Sequence, residues 1–299
     1  MKEHVECIFN GICHLGEGPV WNVNQGRLFW TDILERKLYV YDPATQDSRV
    51  FWEGQQKVGG FAFTRKGGMM LCTDSGVYLL APDEMGKRNG VLKKLFDVPM
   101  VPGELFNDIT VDPKGRIFAG TLRSDCKDGT LYRIERAAEP TPVIRHIGCS
   151  NGMTFSMDEK TFFHTDSISR TISSYRYDAA TGQIEDAAVF FEGDDTQGMP
   201  DGITLDTEDH IWAAFWGDSV VRRLSSKGEI VKEIPLPARQ PSSVMFGGED
   251  LRDLYITTAS QGASDIEKGL DGQGNFLGGH VYRVRTPYKG RPEWLADFD

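Results

Sequence analysis

Apolar and polar residues alternate over short runs along most of the chain, and each run ends in turn residues. "RLFWTD" (Arg27 to Asp32) and "KLYVYD" (Lys37 to Asp42) are such runs, as are "HIWAAFW" (His210 to Trp216) and "VVRRLS" (Val220 to Ser225). They are rich in Val, Ile, Leu, Tyr, Phe and Trp, residues that pack well on a pleated surface. The period is two, and helical periodicity is missing from nearly the whole sequence. Explicit turn signals stand between runs: "NQG" (Asn24 to Gly26), "RKGG" (Arg65 to Gly68) and "DPKG" (Asp112 to Gly115). In the last, Asp-Pro presets the entry to the turn and Gly supplies a positive φ.

The same succession of events recurs six times. A polar or small pair leads into an alternating run, a turn, a second run and a third. The copies begin at Glu17, Gly59, Asn107, Asn151, Asp201 and Ser242, with successive starts 42, 48, 44, 50 and 41 residues apart. A period of roughly 40–50 residues with several short strands per unit marks a β-propeller blade. The expected fold is therefore all-β, a six-bladed propeller occupying 1–299 as a single domain. Six blades use residues from about 17 to about 285, leaving "VECIF" (Val5 to Phe9) and a tail from Pro287. A ring must hide the open edge where it closes, so Val5 to Phe9 is expected to pair into the last blade.

Composition narrows the partners. The chain has 299 residues, is 39% hydrophobic and carries a net charge of -11. That charge argues against nucleic acid and anionic membrane, which need a basic face. No apolar run reaches the roughly 18 residues of a membrane span, and the start, "MKEHVECIFNGIC", has charges where a signal peptide needs an apolar core. Five cysteines without C-x-x-C spacing fit a reducing, cytoplasmic setting better than a disulfide framework or a thiolate zinc site. A monomer or weak homo-oligomer is expected.

The leading residues of the repeats carry the candidate chemistry. Asn151-Gly152 and Asp201-Gly202 resemble hairpin turns when read alone, but each blade's hairpin turn is already assigned about five residues later. The leading residue therefore lies at the other end of the innermost strand, at one mouth of the channel. Four of six equivalent positions carry an acid or amide: Glu17, Asn107, Asn151 and Asp201. Neighbouring carboxylates in a narrow channel cannot both ionise cheaply, and a divalent cation removes the conflict. Oxygen donors suit Ca²⁺, Mg²⁺ or Mn²⁺, with Zn²⁺ or Fe²⁺ open. Few protein ligands leave positions for water and substrate, as a catalytic site needs.

"LGEGPVW" (Leu15 to Trp21), "FNDITVDPKGRIFAGT" (Phe106 to Thr121), "SNGMTFSMDEKTFFHTDS" (Ser150 to Ser167) and "PDGITLDTEDHIW" (Pro200 to Trp212) resemble the senescence-marker-protein/regucalcin/gluconolactonase family. The likeness runs from about residue 5 to 285 in the same order. It implies a six-bladed propeller with one axial divalent metal and hydrolysis of a sugar lactone by metal-activated water. It also implies metal ligands at Glu17, Asn151 and Asp201, a substrate contact at Asn107, and Asp201 as candidate general base. Relatives often have Arg two residues before that Asn; here the position is Leu105, and Arg123 or Asp125 is the expected replacement.

Several signals have plainer readings. "GCSNG" (Gly148 to Gly152) matches an esterase elbow pattern, but that motif needs a helix after the serine, and strand follows Ser150. The six histidines share no phase. His164 reads as a packed residue rather than a base. Trp30, Trp212 and Trp216 read as blade core, with Trp216 able to wall a pocket. The stretch Ser260 to Gly279 is a long connection that is either a mobile loop or a lid. Two other functions remain open: hydrolysis of phosphotriesters or other esters at the same site, and a calcium-binding propeller without catalysis. The axial ring of oxygens favours catalysis, since interaction propellers present a rim instead.

Overall fold

A computed structural model describes residues 3–123 and 125–298. Among them are six four-stranded antiparallel sheets. Blades 1 to 5 each use four consecutive strands, and their innermost strands are Gly16–Asn22, Val58–Phe63, Leu105–Val111, Ser150–Phe155 and Met199–Leu205. Blade 6 has Pro241–Gly247 innermost, then Asp253–Thr258 and Val281–Arg285, and takes Val5–Phe9 as its outer strand. Val5 faces Val284 and Cys7 faces Tyr282 across that closure. The expected six-bladed propeller and its N-terminal closure are thus both present. No helix is long and apolar enough to cross a membrane among the described residues.

The core lies between blades. Ala62 and Met70 of blade 2 pack with Phe106, Ile117 and Ile134 of blade 3 in one cluster, and Trp212 and Val221 of blade 5 pack with Val244 and Phe246 of blade 6 in another. Inward-facing alternate residues of adjacent sheets interdigitate, which is why the sequence reads with period two. Trp30 and Trp212 are fully buried there, as expected. The turns work through side-chain oxygens. Asp112 Oδ1 accepts from the backbone N–H of Lys114 at 2.8 Å and of Arg116 at 3.0 Å, while Gly115 takes a φ of 89°.

Every innermost strand breaks register at its leading residue. The shifts fall between Glu17 and Val20, Val58 and Gly60, Phe106 and Asp108, Ser150 and Met153, Pro200 and Ile203, and Pro241 and Ser243. A bulge kinks the strand and re-aims a side chain. Here it recurs in all six blades at the same height on the axis. The glycines beside it serve close approach rather than a turn. A Cβ on Gly202 would lie 2.0 Å from Ser243 Oγ, and one on Gly59 would lie 1.7 Å from the Phe106 carbonyl oxygen.

Two segments without strand signals have defined places. Ser260 to Gly279 folds on itself through paired Asp265 and Leu270. Its feet are pinned by Ser260 N–H to the Cys13 carbonyl at 3.2 Å and Cys13 N–H to the Gly279 carbonyl at 2.9 Å. The tail crosses the far mouth of the channel. Gly290 bridges Asp206 of blade 5, and Ala296 bridges Thr64 of blade 2. Asp297 N–H reaches the Gly115 carbonyl of blade 3 at 2.9 Å. Glu293, Trp294 and Leu295 close one side of an axial cavity of about 180 Å³ that Asp108, Ile109, Met153 and Ile203 also line.

Candidate metal and substrate site

The bulges gather the leading side chains at the opposite mouth. Glu17, Asn107, Asn151 and Asp201 are all buried to within 7% of complete. Asn107 Nδ2 donates to Asn151 Oδ1 at 3.1 Å and to the Ser150 carbonyl at 2.9 Å. Asn151 Nδ2 donates to Ser167 Oγ at 2.9 Å, and Ser167 Oγ donates to the Pro200 carbonyl at 2.7 Å, beside Asp201. A hydrogen-bonded arc therefore runs from blade 3 through blade 4 to blade 5. The remaining two repeat leaders take no part. Gly59 has no side chain, and Ser242 turns away to hydrogen-bond Thr257 at 2.9 Å and the Gly16 carbonyl at 2.5 Å.

The electrostatics are those of an uncompensated acid cluster. Burial pushes the Glu17 carboxyl well above its usual range, and Asp201 and Asp108 push it further. Burial and then Asp108 do the same to Asp201. Asp108 itself is pushed up to about 7, by burial first and then by Glu293 of the tail, against the Ile109 N–H that favours its ionised form. Among the described residues, no lysine, arginine or histidine lowers any of these three groups. Asp201 Oδ1 is buried without a hydrogen-bond partner, an arrangement that costs stability unless something else meets the oxygen. A donor set of two carboxylates and amide oxygens, one oxygen of it orphaned, fits a hard divalent cation.

These shifts fix a pH dependence for the metal-free protein. An acid whose folded pKa is raised binds more protons folded than unfolded, so stability falls as pH rises. The window opens in the ordinary carboxylate range and runs to about 7 for Asp108, and the raised carboxyls of Glu17 and Asp201 add to it in the same direction. Protein in excess chelator should melt at a lower temperature at about pH 8 than at about pH 5.5, and a saturating divalent ion should narrow the gap. Equal melting temperatures at the two pH values in chelator would contradict the cluster.

A second grouping, Asp206, Glu208 and His210, brings three possible ligand atoms within 4.8 Å. It sits at the far end of the blade 5 inner strand, and its oxygens are already engaged. Asp206 Oδ2 accepts from Trp212 Nε1 at 2.9 Å and Arg223 Nε at 2.8 Å, and Oδ1 accepts from the Glu208 N–H at 2.9 Å. Glu208 pairs with Arg223 at 2.6 Å. This is a turn clasp of the kind Asp112 makes in blade 3, so the axial set is the better metal candidate.

Other sequence candidates fall into place. Ser150 Oγ meets His164 Nε2 at 2.8 Å, but the serine is completely buried and the histidine nearly so. Burial depresses His164 to about 4. The pair supports the strand behind Asn107 and has no exposed nucleophile. Arg123 follows Leu122, which faces Leu105 across the ladder, so it stands at the site's mouth. There it pairs with Asp125 at 3.0 Å with both side chains partly exposed. Two residues escaped the sequence reading. Asp108 occupies the repeat position that holds glycine at Gly18, Gly60, Gly152 and Gly202, a visible signal. Cys149, whose sulfur lies 3.7 Å from both Asn107 Nδ2 and Asn151 Nδ2, had none.

Comparison with known proteins places the chain in a family. The SMP-30/gluconolactonase/LRE-like region matches residues 15–260. The chain is 34% identical to the pentonolactonase XacC of Haloferax volcanii over 286 residues, 95% of each chain. It is 35% identical to the 6-deoxy-6-sulfogluconolactonase of Pseudomonas putida over 303 aligned positions, 99% of each. The solved structure of a calcium-binding regucalcin from Agrobacterium tumefaciens superposes with a TM-score of 0.89 at 25% identity, covering 99% of this chain and 98% of that one.

Proposed function

The chain belongs to the SMP-30/gluconolactonase/LRE-like family, and on that premise we propose that it is a divalent-metal-dependent hydrolase that opens a sugar lactone to the sugar acid. The observation that carries the metal is the buried, partnerless Asp201 Oδ1 beside Glu17 and the Asn107–Asn151 amide pair. Lactonase names on two relatives that align along nearly all of the chain support the reaction. Glu17, Asn151 and Asp201 would hold the ion, with Ca²⁺ the first candidate from the regucalcin likeness. A bound divalent ion supplies Lewis-acid polarisation of the lactone carbonyl, a more acidic water and countercharge for the oxyanion.

The protein's own groups do the rest. Asp201 would be both ligand and general base: with one carboxylate oxygen on the ion, the other would take the proton of the attacking water. A ligated carboxylate is a weak base, so proximity carries the step. The Asn107 amide spends its N–H bonds on Ser150 and Asn151, leaving Oδ1 to accept from a sugar hydroxyl. Arg123, with Asp125, supplies the rim contact that Leu105 cannot.

Titration of released acid at constant pH tests the reading. Aldonolactones of five and six carbons should be hydrolysed, and chelation should stop the reaction. Protein that opens none of them, or works equally in chelator, overturns it; faster hydrolysis of phosphotriesters would move the assignment to that substrate class. Arg123→Ala on the best lactone should raise KM about three- to tenfold, roughly 0.7–1.4 kcal/mol of lost binding. An exposed Arg123–Asp125 pair by itself contributes at most about 1 kcal/mol to stability and would leave both constants within about twofold.

A further inference from the structure

The geometry points to Cys149 as a positioning residue that helps fix which atom of the Asn151 amide faces the axis, with Asn107, whose N–H groups are already paired, packed against the same sulfur. This rests on the proposed metal site. Asn151 Nδ2 has two N–H groups and two acceptors: Ser167 Oγ at 2.9 Å and Cys149 Sγ at 3.7 Å. The same sulfur lies 3.7 Å from Asn107 Nδ2, which also serves the Ser150 carbonyl and Asn151 Oδ1. One thiol thus lies against the nitrogen ends of both amides. An amide side chain has two nearly isosteric orientations, and only its hydrogen-bond partners select one. With both nitrogens on the sulfur side, Asn107 Oδ1 is left for a sugar hydroxyl, and Asn151 Oδ1, which accepts from Asn107 Nδ2, keeps its second lone pair for a cation. The flipped amide would present N–H groups to the ion and repel it.

Sulfur is a weak acceptor, yet here it completes Asn151. An ordinary cysteine thiol is protonated at neutral pH. It therefore adds no charge to an acid cluster that already has too much. A neutral acceptor next to two ligating or substrate-facing amides supports them as outer hydrogen-bond partners support metal ligands elsewhere. The residue reaches Asn107 from 42 positions away, because the blade 3 bulge and the start of the blade 4 strand meet at the same height.

The test separates acceptor from volume. Cys149→Val keeps the bulk and removes the acceptor; Cys149→Ser keeps an acceptor and loses bulk. Affinity for Ca²⁺ and for Mn²⁺ alone is read by isothermal titration, with KM and kcat measured on one lactone and melting in chelator as the check on folding. Cys149→Val should bind the ions about tenfold more weakly, with kcat falling alongside, while Cys149→Ser stays within about threefold of the parent. If the valine variant fails to fold, Cys149→Ala takes its place and must bind more weakly than the serine variant. Parent-like affinity in the valine variant, or weaker binding by serine than by valine, overturns the inference alone. A parent protein that binds neither ion overturns the metal assignment and this inference with it.

Discussion

Asp201→Asn should lose divalent binding and lactone hydrolysis together, and should nonetheless melt at a higher temperature than the parent in chelator. The loss has two sources. One ligand charge disappears, which should weaken the ion by more than the roughly 10–100-fold that a supporting contact costs. The general base also disappears, worth about 10²–10⁴-fold in rate. The gain comes from the same carboxylate. Asp201 raises the pKa of Glu17 as well as having its own raised beside Asp108, so the metal-free parent holds mutually repelling acids in a desolvated ring. Removing one relieves that repulsion by on the order of 1 kcal/mol, about 2 °C at this chain length. Opposite changes in function and metal-free stability are not expected of a merely structural aspartate. A variant that is less stable in chelator, or that keeps full activity, would refute the assignment.

Removing residues 1–10 should be the most damaging change away from the site. The strand Val5–Phe9 covers the edge of Val281–Arg285. Glu6 pairs with Arg283 at 2.6 Å, and the Phe9 ring centroid lies 5.3 Å from those of Trp30 and Tyr39 in blade 1. Partial burial of Val5, Ile8 and Phe9, at about 1.5–3 kcal/mol for each fully buried side chain, puts the loss at roughly 3–5 kcal/mol. The newly exposed edge is also a template for another chain. Thermal melting should show a large drop, and size-exclusion chromatography should show aggregates. An unchanged melting temperature in a monomeric truncated protein would mean the ring closes without this strand.

The repeats were legible because they share one phase. Six leading positions recur at a period of 41 to 50 residues, and a ring turns equal phase into equal height. Hence Glu17, Asn107, Asn151 and Asp201 could be placed at one mouth before any contact was known. Asp108 was legible in principle, since it replaces a glycine of the repeat, but in "NDITVD" it reads as the first residue of a strand. Cys149 lies just outside the repeat, and its contacts depend on a bulge that no local pattern announces. The tail was silent for another reason: from Pro287 it neither alternates nor forms strands, and only packing against blades 2 to 6 gives it a place.

That tail has a bearing on how the molecule opens. A closed ring of blades has one natural seam, here the ladder between Val5–Phe9 and Val281–Arg285 inside the last blade. The crossing from Gly290 on blade 5 to Ala296 on blade 2 and Asp297 beside blade 3 is a chord drawn over the axis. Parting that ladder far enough to swing blade 1 away from the rest of blade 6 must also pull that chord free. Local opening at the seam is thereby coupled to release of the tail's contacts on blades 2 to 5 and to solvation of the cavity beneath Asp108. Amide protons in Val281–Arg285 and Gly16–Asn22 should then exchange at close to the global rate rather than as a frayed edge. The weakest point of the circle is tied to its far side.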